Sequence, residues 1–275
     1  MSGKLYVVGT PIGNLGDFSP RAVETLESCD FIAAEDTRVT LKLLNHFGIK
    51  KQMVSYHEHN RFSQGEPIVE RILSGESCAL VTDAGMPAIS DPGEDLVRLC
   101  HERGVAVESV PGPTAFATAV AISGMPSGRF TFEGFLSVNK VSRREHLESL
   151  TDEKRTMIFY EAPHKLERTL ADMCEYFGDR NIALVKEITK IHETVERTTL
   201  FSARDKFQAE TPKGEYVIII EGRGEEKKNY TLPEAVKIAE ELKNSGMSLT
   251  DAAKTAAKQT GLKKGDIYKE LISND

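Results

Sequence analysis

Short apolar runs alternate with amphipathic stretches along the first 110 residues. The runs lie at 5–8, 31–34, 53–56, 78–81 and 105–110. Each run ends at polar residues, Gly or Pro, a pattern typical of buried strands. The stretches between them repeat apolar residues at helical spacing, with Ser19-Pro20 marking one helix start and Gly48 a helix end. Strands that alternate with helices of this length predict a mostly parallel sheet covered on both faces, and hence the α/β class.

A cluster of turn residues at 123–128 separates this half from a second one, which has more extended segments. Strands are predicted at 129–135, 156–160, 182–186, 193–200 and 215–221, and helices at 142–150, 164–177 and 202–209. Several of these strands are close enough in sequence to pair antiparallel. We therefore predict an N-terminal α/β domain at 1–124 and a C-terminal α/β domain at 125–223.

The end of the chain has a different character. The polar stretch at 222–229 predicts a linker, and three short helical stretches follow near 232–244, 248–259 and 264–272. They predict a helical extension at 229–275. Short helices with lysines on exposed faces are compatible with a helix-turn-helix-like module. A small bundle that packs on the main body or on a partner subunit is an alternative of about equal weight.

Composition narrows the class of protein without identifying it. The chain has 275 residues and a net charge of −7, which argues against nonspecific coating of nucleic acid. A local basic cluster of Lys140, Arg143 and Arg144 is the exception. No apolar run approaches the roughly 20 residues that span a bilayer. The four cysteines are far apart and form no C-x-x-C pair, so reduced, buried thiols in the cytosol are expected rather than a zinc site.

The stretch VTDAGMPAISDPG at 81–93 carries the strongest local signal for a ligand site. A predicted strand there ends in loops rich in Gly, Pro and Asp, and ligands of parallel sheets bind at the carboxyl ends of strands. Gly85 lets the backbone approach a ligand closely. On geometry alone, an ordinary connection in which Asp91 caps a helix and Pro92 starts it explains the pattern about as well. We expect Asp91, Pro92 and Gly93 simply to start the next helix.

Charged loops follow several other predicted strands. The loop at 35–38 places two carboxylates and an arginine at the end of a strand, and the loop at 56–61 carries His57 and His59. No further His or Cys is placed to complete a metal site, so a polar loop that contacts substrate is favoured over metal binding. The glycines at 9–17 fit neither the dinucleotide-binding spacing nor a Walker A loop.

These segments together resemble the tetrapyrrole methylases, the class III methyltransferases that depend on S-adenosylmethionine, and within them a bacterial group that methylates ribosomal RNA. The matching segments are LYVVGTPIGNLGD, AAEDTR, SYHEHNR, VTDAGMPAISDPG, PGPTAFATA, FEGFL, FYEAPHKL, KEITKIHE and GEYVIIIEG. They span residues 5–222 in the family's order, and their combination is highly specific. The Lys- and Ala-rich tail resembles the helical extension of the same group.

The resemblance implies two α/β domains with the methyl donor, S-adenosylmethionine, in the cleft between them. The implied donor-binding residues are Pro11, Asp83, Ala84, Gly85, Met86, Ile89, Thr114, Ala115 and Glu161. The candidates for catalysis, which lie in loops facing the implied cleft, are Glu35, Asp36, Arg38, His57, Glu187 and Lys190. The residues expected to contact RNA are Arg38, Lys140, Arg143, Arg144, Lys263 and Lys264.

The implied reaction is methylation of the 2′-hydroxyl of a cytidine ribose in 16S ribosomal RNA of the small subunit. A hydroxyl is a poor nucleophile and benefits from a general base, which the sequence does not single out among the candidates. No metal is needed, and a cytoplasmic homodimer is what the family suggests. Two alternatives stay open: methylation of a tetrapyrrole or another small molecule on the same fold, and a non-catalytic module that senses the donor or binds RNA.

Overall fold

Ten strands and eleven α-helices lie in the residues that the structure, a computed structural model, describes, namely 3–224 and 230–273. The strands are β1 Lys4–Val8, β2 Phe31–Ala34, β3 Gln52–Ser55, β4 Cys78–Val81, β5 Ala106–Val110, β6 Phe130–Phe135, β7 Thr156–Glu161, β8 Asn181–Lys186, β9 Thr194–Thr199 and β10 Tyr216–Ile220. The helices are α1 Pro20–Ser28, α2 Thr37–Phe47, α3 Arg61–Leu73, α4 Glu94–Glu102, α5 Ala115–Ser123, α6 Lys140–Ser149, α7 Pro163–Phe177, α8 Leu200–Ala209, α9 Leu232–Asn244, α10 Leu249–Thr260 and α11 Lys264–Ser273. Most of the predicted linker, 225–229, lies outside the described residues.

The first sheet is parallel throughout and has the strand order β3-β2-β4-β1-β5. Every residue of β2 and β4 is buried, so alternate side chains fill two cores. Helices α1 and α2 cover one face, where Leu26 packs in the same core as Ile32. Helices α3 and α4 cover the other, where Ile72 packs in the same core as Phe31. The predicted α/β class, with helices on both faces of a parallel sheet, is confirmed.

The chain leaves the neighbouring strands β1 and β4 in opposite directions. Strand β1 connects to β2 on one side of the sheet, and β4 connects to β5 on the other. Such a reversal opens a crevice beyond the carboxyl ends of the two strands, where ligands of doubly wound sheets bind. The loops at 9–17 and 82–93 follow these two strands and therefore meet at that crevice.

The second sheet is mixed and has the order β6-β7-β10-β8-β9. Strands β6 and β7 are parallel, and the remaining neighbours pair antiparallel. Helices α6, α7 and α8 contribute Leu147, Leu166 and Leu200 to the core on one face. Helix α5 covers the other face, where Val120 belongs to the same core as Ile158.

The chain divides into two compact units, Met1–Arg223 and Gly224–Asp275. Both sheets lie in the first unit, and the domain boundary predicted at 124/125 stays a prediction. Helix α5 precedes that boundary in sequence, yet its buried residues belong to a core of the second sheet. Sequence order therefore assigns α5 to one sheet and packing assigns it to the other.

The second unit is a set of three helices with its own small core. The helices predicted for the tail are present as α9, α10 and α11. Their core contains Ala239, Ala253, Ile267 and Leu271. Small alanine side chains let the helix axes approach closely, so a core of this kind forms from short helices.

Two expectations from composition concern the whole chain. All four cysteines are free and buried, and burial raises the pKa of the Cys100 thiol to about 11. Thiols of this kind stay protonated and unreactive at neutral pH. No helix among the described residues is both long and apolar enough to cross a membrane.

Candidate active site

A cleft of about 340 Å³ lies beyond the carboxyl ends of the first sheet's strands. One wall comes from the loops after β1, β2, β4 and β5. The other comes from the ends of β6 and β7, the loop after β8 and the start of β10. A volume of this size, with mostly apolar walls and a few polar groups, suits a small-molecule ligand. The crevice expected from the strand order is therefore present, and the second sheet closes it.

Two reciprocal backbone hydrogen bonds join the loop at 82–91 to the loop at 9–17. The N–H of Thr10 donates to the carbonyl of Gly85 at 2.9 Å, and the N–H of Gly85 donates to the carbonyl of Thr10 at 3.1 Å. Gly85 has φ +92°, a conformation that favours glycine. Ala88 and Ser90 also have positive φ, at 66° and 63°. Strained non-glycine residues of this kind cluster at binding sites, where surrounding contacts hold them in place.

Eight of the nine donor-binding residues implied by the resemblance line this cleft. They are Asp83, Ala84, Gly85, Met86, Ile89, Thr114, Ala115 and Glu161. The ninth, Pro11, does not line it, and its neighbour Ile12 occupies that part of the wall. Apolar side chains and carboxylates from both sheets thus face one space. The role of these residues in binding the donor stays a prediction.

Glu161 ends β7 and is only 4% exposed. Its Oε1 accepts a hydrogen bond from the backbone N–H of Ala162 at 2.9 Å. Its Oε2 accepts one from the hydroxyl of Thr169 at 2.5 Å. A buried carboxylate without such partners would cost several kcal/mol. These bonds hold the carboxylate in one orientation at the cleft wall.

Asp36 and Arg38 pair with each other rather than with the cleft. Asp36 caps α2 by accepting from the backbone N–H of Arg38 at 2.8 Å, and its carboxylate pairs with the Arg38 guanidinium at 2.5 Å. Hydrogen bonds from Arg38 lower the pKa of Asp36 to about 2, which makes this carboxylate a weak base. Neither residue lines the cleft. The structure thus gives no support to the catalytic role predicted for Asp36, and it leaves the Arg38 side chain 87% exposed.

Lys190 lies in the cleft wall and bridges two carboxylates. Its Nζ is 3.1 Å from Glu187 Oε1 and 3.1 Å from Glu215 Oε2. Burial lowers the pKa of Lys190, but the hydrogen bonds to Glu215 and Glu187 outweigh it and raise the pKa overall. The backbone N–H of Glu215, together with Lys190, lowers the pKa of Glu187. A protonated lysine and a carboxylate of lowered pKa are both poor bases, so this pair offers fixed charge rather than proton transfer.

His57 and His59 lie outside the cleft lining. Their ring centroids are 5.9 Å apart, and the backbone N–H of His57 donates to Asn60 Oδ1 at 2.8 Å. Within residues 3–224 and 230–273, no three His, Cys, Asp or Glu side chains are grouped as a metal ion needs. The histidines therefore belong to the turn that precedes α3, and the structure gives His57 no contact with the cleft.

Asp91, predicted from the sequence to start a helix, lies in the cleft wall instead. That assignment is wrong because α4 begins only at Glu94, after Gly93 has turned the chain with φ +143°. Burial, followed by the charges of Glu35 and Asp83, raises the pKa of Asp91 to about 7. A carboxylate with such a pKa can accept a proton at neutral pH, which is what a general base must do.

A second cleft, of about 390 Å³, adjoins the first. Glu35, Ser90 and Asp91 line both clefts, so Asp91 faces both spaces. Glu35 is held in place because its Oε2 accepts from the Thr82 hydroxyl at 2.5 Å and from the Asp83 N–H at 3.3 Å. Ligands that occupied the two clefts together would meet at Asp91.

Five of the six basic residues expected to contact RNA are exposed. They are Arg38, Lys140, Arg144, Lys263 and Lys264. Arg143 is not: its side chain is 7% exposed and pairs with Asp172. The prediction that Arg143 contacts RNA is wrong because position 143 shares the buried face of α6 with Leu147, four residues later. That spacing was a signal in the sequence that a count of nearby basic residues overlooked.

Sequence comparisons give a consistent picture. The family model of the Tetrapyrrole (Corrin/Porphyrin) Methylases matches residues 4–204. A Synechocystis relative named ribosomal RNA small subunit methyltransferase I is 44% identical over 97% of this chain and 96% of its own length. A Xylella fastidiosa relative of the same name is 46% identical over 97% of this chain and 98% of its own. A Thermotoga maritima relative of that name is 45% identical over 221 residues, which cover 80% of this chain and 99% of the relative.

Solved structures share the fold at much lower identity. Uroporphyrin-III-C-methyltransferase from Thermus thermophilus aligns with a TM-score of 0.55 and 17% identity, covering 79% of this chain and 94% of that structure. A diphthine synthase aligns with a TM-score of 0.60 and 14% identity, covering 80% and 90%. At these identities the likeness concerns the fold alone.

Proposed function

The chain belongs to the tetrapyrrole methylases, and from that membership we propose that it transfers a methyl group from S-adenosylmethionine to the 2′-hydroxyl of a cytidine ribose in 16S ribosomal RNA. The observation that carries the proposal is the identity of 44% and 46%, over almost the full length of both partners, with relatives named ribosomal RNA small subunit methyltransferase I. The choice of a cytidine and of its 2′-hydroxyl rests on the sequence resemblance to the same group.

The first cleft is the proposed donor site. S-adenosylmethionine supplies a methyl group bound to a positively charged sulfonium. The residues present fit such a ligand, because Asp83 and Glu161 bring carboxylates to the cleft while Ile12, Met86 and Ile89 supply apolar walls. The backbone bridge between Thr10 and Gly85 restrains the loop at 82–91, and a restrained loop loses less conformational entropy when it binds a ligand.

Asp91 is the proposed general base. It borders both clefts, so a ribose entering by the second cleft would bring its hydroxyl to the carboxylate that faces the donor site. Its pKa of about 7 is matched to proton abstraction at neutral pH. The chain thus contributes two things: it orients the hydroxyl for an in-line reaction, and it removes the proton as the oxygen becomes a nucleophile.

The RNA is proposed to bind through exposed cations around an otherwise acidic protein. Arg38, Lys140 and Arg144 on the first unit, and Lys263 and Lys264 on the second, can contact phosphates. The net charge of −7 keeps nonspecific affinity low, so that only a substrate shaped to reach these positions binds well. A cytoplasmic homodimer is part of the proposal and follows from the family resemblance.

The test is methyl transfer from radiolabelled S-adenosylmethionine to small ribosomal subunits that lack the modification. We expect label in 16S RNA, and nuclease digestion followed by chromatography should place it on a cytidine ribose. Label on a corrin or porphyrin precursor and not on RNA would establish the small-molecule alternative. Donor binding without transfer to either substrate would establish the non-catalytic alternative.

A further inference from the structure

Arg143 presents a problem that the proposed function does not solve. It lies on α6 between exposed neighbours, but its own side chain is only 7% exposed. Burying a guanidinium costs several kcal/mol unless it is fully paired, and a leucine or methionine would pack at such a position more cheaply. The partners of Arg143 therefore decide what its charge does there.

Those partners form a hydrogen-bond network that ends in the cleft. Arg143 Nε donates to Asp172 Oδ2 at 2.6 Å, and its Nη2 donates to the hydroxyl oxygen of Thr169 at 2.8 Å. The Thr169 hydroxyl lies 2.5 Å from Glu161 Oε2. Thr169 and Asp172 are three residues apart on α7, so both lie on the face that meets α6. Within this hydrogen-bond network, Glu161 is the residue that lines the donor cleft.

The direction of each hydrogen bond in this network follows from which groups can donate. A guanidinium can only donate, so the Thr169 oxygen must accept from Arg143. The single proton of that hydroxyl is then left for Glu161, which accepts it at Oε2 while Oε1 accepts from the N–H of Ala162. Each carboxylate oxygen keeps a further lone pair. A positive charge thus acts on the cleft-facing carboxylate through one hydroxyl, without itself entering the cleft.

We propose that Arg143 is a positioning residue for methyl-donor binding, and that it acts through Thr169 to orient the Glu161 carboxylate at the cleft wall. This inference rests on the proposed function, since it takes S-adenosylmethionine as the ligand of the cleft. A network that only joined α6 to α7 would need no member at the cleft, whereas this one terminates on a donor-binding candidate. The consequence is that a substitution on α7, behind the cleft wall, weakens donor affinity.

The test is calorimetric titration of the full chain with S-adenosylmethionine. Thr169→Val keeps the shape of the side chain and removes the hydroxyl, and we expect it to raise the donor Kd about tenfold, since a hydrogen bond to a charged group is lost. Thr169→Ser keeps the hydroxyl and should restore an affinity within about twofold of wild type. Arg143→Lys keeps the charge but not the fork, and it should raise the Kd by a smaller factor.

Thr156→Val is the matched control. Thr156 is also buried, in β7 itself, and its hydroxyl donates to the carbonyl of Pro126 at 2.7 Å, away from the cleft lining. We expect it to lower the melting temperature as Thr169→Val does while leaving the donor Kd unchanged. At saturating donor, Thr169→Val should show nearly normal kcat and an unchanged KM for RNA.

Two results would overturn the inference while leaving the proposed function intact: wild-type donor affinity in Thr169→Val, or equal loss of affinity in Thr169→Val and Thr156→Val. Failure of the wild-type protein to bind the donor would be a different result. It would overturn the proposed function, and the inference with it.

Discussion

Three carboxylates, those of Asp91, Glu35 and Asp83, share one corner of the cleft, and the negative charge of two opposes ionisation of the third. Burial of the Asp91 carboxyl is the larger effect, and together with these charges it raises the pKa of Asp91 to about 7. Since a base must be deprotonated to act, we expect the methylation rate to rise with pH up to about 7 and to level off above it. Asp91→Asn should lower the rate by at least about 100-fold and leave donor affinity unchanged.

Single-turnover methylation of small subunits at saturating donor, between about pH 5.5 and 9, checks this expectation. A flat wild-type profile over that range, or normal turnover in Asp91→Asn, would remove Asp91 from the role of base. Glu35 would then be the next carboxylate to substitute, since it also borders both clefts.

The same raised pKa means that the ionised form of Asp91 destabilises the folded protein. Between the ordinary value of 3.8 and the folded value of about 7, the folded chain binds more protons at Asp91 than the unfolded chain does. The free energy of unfolding therefore falls as pH rises through this window. We expect Asp91→Asn to melt above wild type at about pH 8, by roughly 2–4 °C for each kcal/mol regained, and to lose that advantage near pH 4. Melting curves at both pH values test this, and a pH-independent difference would contradict it.

Arg38 is an exposed cation three positions after Glu35, which borders both clefts. Its side chain is 87% exposed and pairs with its neighbour Asp36. We expect Arg38→Ala to raise the KM for the ribosomal substrate several-fold, as the loss of one phosphate contact does, and to leave the donor Kd unchanged. Arg204→Ala, which removes another arginine paired with an adjacent aspartate, is the matched control. Equal loss of donor and RNA affinity in Arg38→Ala would contradict the assignment.

At the residue scale, the sequence indicated position better than environment. Eight of the nine donor-binding candidates lie together, because order along the strands determines which loops meet. The basicity of Asp91 was not predictable, since it arises from burial and from carboxylates that are 56 and 8 positions away in the chain. Arg143 was misassigned because charge was given more weight than its position on the helix.

At the scale of elements, the loop at 82–91 has a restrained backbone and does more than connect β4 to α4. Gly85 combines φ +92° with a bridge to Thr10, so a side chain there strains the backbone and disturbs both loops. We expect Gly85→Val to weaken donor binding more than tenfold, measured by calorimetry. Gly104→Val controls for the backbone strain alone, because Gly104 has φ +71° and open space around it, outside the cleft lining. Unchanged donor affinity in Gly85→Val would remove this loop from the site.

Periodicity and turn residues were enough to predict the strands and helices of both halves, since these signals are local. Pairing was harder, because hydrogen bonds between strands join distant segments. The parallel pairing of β6 and β7 agrees with the helix α6 that connects them, but the position of β10 between β7 and β8 has no local signal in the sequence. The roles of Asp91 and Pro92 were wrong for a different reason: they have the composition of a helix start, but Gly93 is the N-cap and α4 begins at Glu94.

At the scale of the whole molecule, the chain divides into a catalytic candidate and a helical addition. The Thermotoga relative matches 80% of this chain with 99% of its own length. A relative with the same name as the Synechocystis and Xylella proteins therefore has no equivalent of about a fifth of this chain. We expect a chain that ends at Arg223, the limit of the first compact unit, to bind the donor within about twofold of the full chain and to show a KM for small subunits raised several-fold.

Removing the lysines alone separates loss of contact from loss of the whole unit. A full chain with Lys263→Ala and Lys264→Ala should show part of the KM increase and keep its donor affinity. An unchanged KM in the shortened chain would mean that the second unit takes no part in RNA binding.

The attachment of α5 to the second sheet determines where this protein can be cut. A cut at 124/125 would separate Val120 from Ile158, leaving a bare apolar helix on one fragment and an uncovered sheet face on the other. A cut between β5 and α5, in the stretch 111–114, would let each fragment keep the helices that cover its own sheet. Split-protein complementation, in which two separately made fragments reassemble, should therefore work best with a cut in the proline-containing stretch at 111–114. A cut in the turn-rich segment at 123–128 should work less well.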